Sequence, residues 1–423
     1  MNKAYLALAV FISAYILFIF FSQRRTYIAI GASLILLLLR AVSPMEAFVS
    51  INWNVMGIFV GTLVVADIFM QSRVPAYIAE LIVDRARSTC WAILLICLLT
   101  GFISAFVENV ATVLIVAPIA LALAKKLKIN PVRMMISIAI SSNLQGTATL
   151  IGDPPSMLLG GFAKMNFMDF FFYKGRPSIF FAVELGAIAS FFVLYFIFRK
   201  QREKMQLVPV EKVRSWVPAA ILVILIIVLA VSSFFDTEFS YLAGIICVIA
   251  GIIAALWGKF VNNSPVIAGL KALDWETTFF LIGVFILVGS VTVTGWIEVI
   301  SNALSGLVGG NIFLGYTLIV FISVFLSAFI DNVPFLAAML PVAISMSAKL
   351  QINPSLLLFG LLIGTSLGGN ITPIGASANI VACGLLKKEG YQVSFKDFAK
   401  IGLPFTLVAV TAAYLFIWFI WSR

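Results

Sequence analysis

The chain has 423 residues, 62% hydrophobic and 11% charged, with no histidine; 28 Lys and Arg against 18 acids leave a net charge of +10. Such a composition lies far outside that of soluble domains and predicts an all-α polytopic membrane protein. It excludes histidine chemistry, and the absence of a GxxxxGKS loop, a nucleophile constellation or a metal-ligand cluster in the sequence argues against an enzyme.

Apolar stretches long enough for a bilayer core of about 30 Å fall at 4–21, 27–43, 54–71, 178–198, 216–235, 240–257, 276–293 and 401–421. The first has only Lys3 ahead of it, lacks a small-residue cleavage site and is followed by further spans, so it reads as a retained helix rather than a signal peptide. Segments 74–87 and 295–308 mix charge with apolar residues and read as interfacial amphipathic helices. Cys90, Cys97, Cys247 and Cys383 are scattered through apolar sequence without paired or metal-ligand spacing, so they read as small core residues. The excess of Lys and Arg points to orientation in a bilayer and not to nucleic acid.

An internal duplication organises the rest. Residues 104–131, SAFVENVATVLIVAPIALALAKKLKINP, lie without a gap over 327–354, SAFIDNVPFLAAMLPVAISMSAKLQINP, at an offset of 223 with 12 of 28 positions identical. The same offset carries SSNLQGTATLIGDPPSMLLGG (141–161) onto GTSLGGNITPIGASANIVACG (364–384), pairing Gly146 with Gly369, Thr149 with Thr372 and Gly152 with Gly375. Gly152-Asp153-Pro154-Pro155 is turn chemistry inside an apolar run, which a bilayer tolerates only where the break lies against protein or a cavity.

Each half therefore reads as three crossings, a pair of apolar arms joined at Glu108-Asn109 or Asp331-Asn332, a broken crossing and a final crossing. No polar loop flanks either joint, which favours re-entrant hairpins over full spans and makes the repeats inverted. The expected organisation is a first repeat over 1–198 (hairpin 89–127, broken helix 132–163), a linker over 199–215 and a second repeat over 216–423 (hairpin 311–349, broken helix 355–387). With ten crossings and two hairpins, 21 of the 28 basic residues fall on one face and 7 on the other. The positive-inside rule then puts the linker RKQREKMQLVPVEKVRS in the cytoplasm and both termini outside a plasma or inner membrane.

Glu108 and Asp331 carry charge at the tips of apolar arms, where burial costs several kcal/mol unless something compensates, so function is the first hypothesis. Helix capping is the plainer one: an acid or Asn ahead of a helix satisfies its free N–H groups. Asn109 and Asn332 could offer amide oxygens to a cation or hold the tip against the broken helix. Each break leaves carbonyls at one half-helix end, which suit cations, and N–H groups at the other, which suit anions or polar oxygens. The candidates are Gly146, Thr147, Thr149 and Gly152 in the first repeat and Gly369, Asn370, Thr372 and Gly375 in the second. A sodium ion, the one bound group expected, would take Asn109, Thr149, Asn332 and Thr372. Asp153 ahead of Pro154 reads equally as an N-cap and as an ion ligand; the second repeat has Ala376 there, with Ser377 and Asn379 supplying neutral polar groups nearby. Asp67 and Glu184 read as interfacial or functional, and Arg40 as snorkelling to the headgroups.

The motifs NVATVLIVAPIALALA, GTATLIGDPPSMLLG, DNVPFLAAMLP and GGNITPIGASANIVACG, with the tail GYQVSFKDFAKIGLPFTLV, resemble the ArsB/NhaD permeases over nearly the whole chain. That group takes in arsenite efflux pumps, sodium/proton antiporters and P-protein-like carriers. The tips Glu108-Asn109-Val110 and Asp331-Asn332-Val333 stand where the related divalent-anion/sodium symporters carry Ser-Asn-Thr, a departure that argues against dicarboxylate symport through two such sodium sites. The resemblance implies a homodimer and an elevator-like movement of hairpins and broken helices. The expected function is efflux or antiport of a small inorganic ion or oxyacid of the arsenite kind, coupled to protons or sodium. Sodium/proton exchange, anion symport and, in a different class, a passive channel are the alternatives.

Overall fold

The computed structural model describes residues 3–127, 129–202, 211–262 and 273–422. Residues 203–210 of the expected linker, and Lys128, Lys271 and Arg423 of the charge count, lie outside them. The fold is nearly all helical: two inverted repeats of membrane helices, each with a re-entrant hairpin and a broken helix. In the first repeat the helices are α1 (Lys3–Phe20), α2 (Arg25–Leu38), α3 (Pro44–Ser50), α4 (Trp53–Gln71), α5 (Val74–Arg85), the hairpin arms α6 (Thr89–Ser104) and α7 (Asn109–Leu127), the half-helices α8 (Val132–Gly146) and α9 (Pro154–Ala163), and α10 (Ile179–Phe198). The second has α11 (Val217–Ser232), α12 (Leu242–Asn262), α13 (Trp275–Val293), α14 (Trp296–Val308), the arms α15 (Ile312–Ser327) and α16 (Asn332–Lys349), the half-helices α17 (Pro354–Gly368) and α18 (Ser377–Lys388), and α19 (Phe395–Trp421).

Nine of the described helices are long and apolar enough to cross a membrane, α7 and α16 among them. Their hairpin partners α6 and α15 have 16 residues each, short of the roughly 20 that a span needs. Pro118 and Pro341 fall inside α7 and α16 at equivalent places. The amphipathic α14 meets α15 at a 117° bend. Gly309 and Gly310, at φ +60° and +82°, make that corner, where a side chain would be strained.

The apolar stretch expected at 27–43 is interrupted. Arg40 takes a left-handed conformation (φ +53°), and Ser43 starts α3 with a capping box: its side chain accepts from Glu46 N (3.2 Å) while its own N–H donates to the Glu46 carboxylate (2.7 Å). The Ser43-Pro44-Met45-Glu46 sequence encodes that start and outweighs apolar continuity.

Close helix contacts come from small residues, as membrane packing requires. α4 and α12 cross with almost no side chain between them: a Cβ at Gly61 would stand 2.2 Å from the Cys247 carbonyl carbon, and one at Gly57 3.0 Å from Gly244 Cα. α2 meets α13 at Ala29 and Gly283, where Ser33 Oγ donates to the Gly283 carbonyl (3.3 Å). A two-stranded turn, Phe172–Tyr173 paired with Arg176–Pro177, ties into the end of α19, since Trp421 Nε1 donates to the Pro177 carbonyl (3.2 Å) and Arg176 to that of Ile420 (2.9 Å).

Candidate functional site

Both hairpin tips cap the helix that follows them. The Glu108 carboxylate accepts from Ala111 N (3.0 Å) and Asp331 Oδ1 from Val333 N (3.0 Å). Capping leaves a carboxylate oxygen of each acid for other work. The second oxygen of Asp331 forms an ion pair with Arg25, 306 residues away in sequence on α2. The Arg25 guanidinium also lies 4.9 Å from the Phe280 ring centroid and 3.4 Å from Thr277 Oγ1.

The breaks are fastened to the hairpins in the same way in both repeats. Thr149 Oγ1 donates to the Ala105 carbonyl, and its counterpart Thr372 Oγ1 donates to the Ala328 carbonyl. Ser104 Oγ donates to Asn109 Oδ1 (2.6 Å) and adjoins Ser142 Oγ (2.8 Å), while Ser327 Oγ donates to the Thr365 carbonyl (2.5 Å). Glycine is obligatory where these parts touch. A Cβ at Gly146 would stand 2.1 Å from Asn109 Oδ1, one at Gly152 2.3 Å from the Gly146 carbonyl oxygen, and those at Gly369 and Gly375 2.5 Å from each other's carbonyl oxygens.

The two α9 and α18 starts differ. Asp153 is buried and caps α9: one oxygen accepts from Ser156 N (2.8 Å), the other from Thr147 Oγ1 (3.4 Å). Ala376, in the same extended conformation (φ −147°), puts no side-chain cap on α18. Asn379 instead reaches back, its Nδ2 donating to the Gly369 and Thr372 carbonyls (both 2.9 Å). Its Oδ1 accepts from Asn143 Nδ2, which also donates to Asn370 Oδ1 (both 2.9 Å). Three buried amides thus tie the two breaks together. Asn143 was not among the residues expected from sequence. Its signal was present, a carboxamide inside the apolar half-helix α8 where the second repeat has Ser366.

These parts enclose a cleft of about 40 Å³, room for a few waters or one small ion. Of the expected residues Glu108, Asn109, Asp153, Asn332 and Ser377 line it, joined by Asn143, Arg25 and Asp274. Thr147, Thr149, Gly152, Gly146, Gly369, Asn370, Thr372, Gly375 and Asn379 do not line it; they form the packed layer just described. Among the described residues its walls hold three carboxylates, those of Glu108, Asp153 and Asp274, and one guanidinium, which is already paired. The cleft is cation-attracting at Glu108, Asp153 and Asp274, whereas Ala376, Ser377 and Ala378 bring it the open start of α18.

Gly375→Val should reduce flux at least tenfold with little change in membrane yield, because it drives a side chain into Gly369 where overpacking costs about 1–3 kcal/mol. Flux per milligram of inserted protein measures it. Wild-type flux from the variant would mean that the break is not part of the moving or binding machinery.

A family model described as CitMHS, citrate transporter, matches residues 15–364 and 336–423. The chain belongs to that family. An uncharacterized transporter of Mycobacterium bovis is 28% identical over 429 residues, covering 97% of each chain. The mouse P protein is 26% identical over 493 residues, covering 96% of this chain and 59% of that protein. Among solved structures, the Alcanivorax borkumensis YdaH transporter aligns with a TM-score of 0.61 at 16% identity, over 86% of this chain and 85% of its own. Neisseria gonorrhoeae MtrF, of a class of antimetabolite efflux pumps, aligns at 0.55 and 13%, over 87% and 82%. At such identities the two structures establish the fold. Family and relatives agree on an integral membrane transporter.

Proposed function

We propose that the chain is an ion-coupled secondary active transporter of a small oxygen-rich solute, an arsenite-like oxyacid or a carboxylate such as the citrate of the family's description. The observation that carries this reading is the unlike polarity of the two breaks meeting in one cleft. Asp153, Glu108 and Asn109 suit a sodium ion or a proton; the uncapped start of α18, with Ser377, suits solute oxygens. Thr149 and Thr372 donate their hydroxyl hydrogens to hairpin carbonyls and so hold each break against its hairpin. The resemblance to the ArsB/NhaD branch, a homodimer and elevator-like carriage of the hairpins belong to the same proposal. A citrate-sized solute requires the cleft to open beyond its present size.

Three carboxylates against one paired guanidinium favour a second reading, sodium/proton exchange without an organic or oxyacid solute. Purified protein in liposomes separates the two. Arsenite or citrate accumulation should follow an imposed proton or sodium gradient and collapse with it. Sodium-for-proton exchange that neither solute alters would select the second reading, and downhill flux indifferent to every gradient would select a channel.

The proposed orientation has its own test. Single cysteines in a cysteine-free background should label from the cytoplasm at Ser215 and from outside at Asp236; labelling of both from one face would overturn the five-crossing repeat.

A further inference from the structure

The two repeats differ where a hairpin arm meets its half-helix. In the second, Gly360, Gly364 and Gly368 let α17 lie directly on α15: a Cβ at Gly364 or Gly368 would stand 2.6 Å from the Val320 or Val324 carbonyl oxygen. The space beyond is filled by rings. Tyr316 stacks on Tyr414 at 4.8 Å and on Trp418 at 5.7 Å, and Phe321 lies 5.6 Å from Tyr414. The offset of 223 holds this far along the chain, because Gly186 of α10 crosses α19 at Ala409, with 3.0 Å from the Cβ position to the carbonyl oxygen. At that offset the first repeat replaces the glycines with Ser137, Ser141 and Gln145, and Tyr316, Tyr414 and Trp418 with Ile93, Phe191 and Tyr195.

The filling is lost and a groove of about 670 Å³ opens between α6, α8 and α10, within the roughly 300–1,000 Å³ that holds a drug-sized molecule. Its rim residues Leu98, Phe102, Ile188 and Phe192 are all more than half exposed, so in a bilayer the groove faces hydrocarbon. Its polar lining residues are Ser141 and Gln145 of α8 and Glu184 and Ser190 of α10. Gln145 lies over Gly101, 2.8 Å from the Cβ position there, and shares the groove wall with Glu184. Among the described residues, no Lys or Arg lines the groove. A carboxyl group on the wall of a hydrocarbon-facing groove, with a neutral amide as its polar neighbour there, is where a cationic head would be bound.

We propose that this groove binds a lipophilic amine, an amphiphile drawn from within the bilayer. Its protonated amino group pairs with Glu184 and the Gln145 amide oxygen, and its apolar body lies along Leu98, Phe102 and Phe192. The site is separate from the ion cleft. It adjoins the first hairpin through Ala105, whose carbonyl anchors Thr149.

The test uses the purified full chain in phosphatidylcholine nanodiscs and a diazirine-bearing tetradecylamine. Photolabelling should saturate and map to peptides spanning 95–106 and 184–192. Unlabelled tetradecylamine should compete about tenfold better than tetradecanol, the preference that one charge-assisted hydrogen bond in place of a neutral one gives. Glu184→Gln should erase that preference with flux retained. Ile93→Tyr with Phe191→Tyr, which restores the second repeat's ring stack, should cut labelling severalfold. Equal competition by amine and alcohol in the wild type, or an unchanged preference in Glu184→Gln, would overturn the proposal, and these two readings decide it whether or not the ring-filled variant folds.

Discussion

Arg25→Gln should lower flux at least tenfold, and Asp331→Asn should lower it as well, while the double variant recovers part of either loss. The pair joins two differently placed bodies. Arg25 opens α2, which packs on α13, and Asp331 sits at the tip of the second hairpin. Both side chains are about four-fifths buried, at 18% and 20% exposure. Removing one partner strands the other charge: for fully buried pairs that costs about 3–5 kcal/mol, and the remaining exposure reduces it here to roughly 1–3 kcal/mol. Removing both leaves two neutral amides and a smaller penalty, so the effects should be non-additive. Thermal unfolding and liposome flux of the three variants measure this. Strictly additive losses would mean that Arg25 and Asp331 act separately and that no scaffold-to-hairpin brace exists.

How much of this was legible follows from the range of each interaction. The hairpins and broken helices were written locally, in a gapless duplicated block and in Gly and Pro clusters that only a protein-lined break can hold. The start of α3 was local too, in Ser43 and Glu46, but the apolar run across it masked the signal. The partner of Asp331 was not legible, because 306 residues separate it from Arg25 and nothing in either neighbourhood names the other. The amide knot of Asn143, Asn370 and Asn379 was half legible. Two of its members lie in the conspicuous second break, and the third looks like an ordinary polar residue until the repeats are folded onto each other.

The pseudo-symmetry also explains why the acids are unequal. Asp331 has a guanidinium partner, while Glu108 shares the cleft with Asp153 and Asp274 and has no ion pair of its own among the described contacts. Asp153 has Ala376 as its counterpart, so the second repeat has lost a charge at its break where the first has kept one. Two of the cleft's three carboxylates, those of Glu108 and Asp153, thus come from the first repeat and one, that of Asp274, from the second.

Glu108→Gln and Asp153→Asn should consequently have the largest effect on coupling. Both amides preserve the local caps, since a carboxamide oxygen can still accept from Ala111 N or Ser156 N. The fold and the amount of inserted protein should therefore stay within a factor of about two. What the amides cannot do is trade a proton for a cation. An ionised carboxylate in a cleft of about 40 Å³ is costly unless a proton neutralises it or a bound cation pairs with it. One proton leaving as one sodium ion arrives is the elementary exchange such a group performs. With an amide that exchange is gone, so gradient-driven accumulation should fall at least tenfold in one or both variants, and the flux that remains should lose its dependence on pH and on the coupling ion. Flux measured across pH 5.5 to 8.5 (about three units, spanning the range in which a buried carboxyl group titrates) with and without a sodium gradient decides it. Wild-type rates with an unchanged pH profile and ion requirement in both variants would leave Glu108 and Asp153 as helix caps and nothing more.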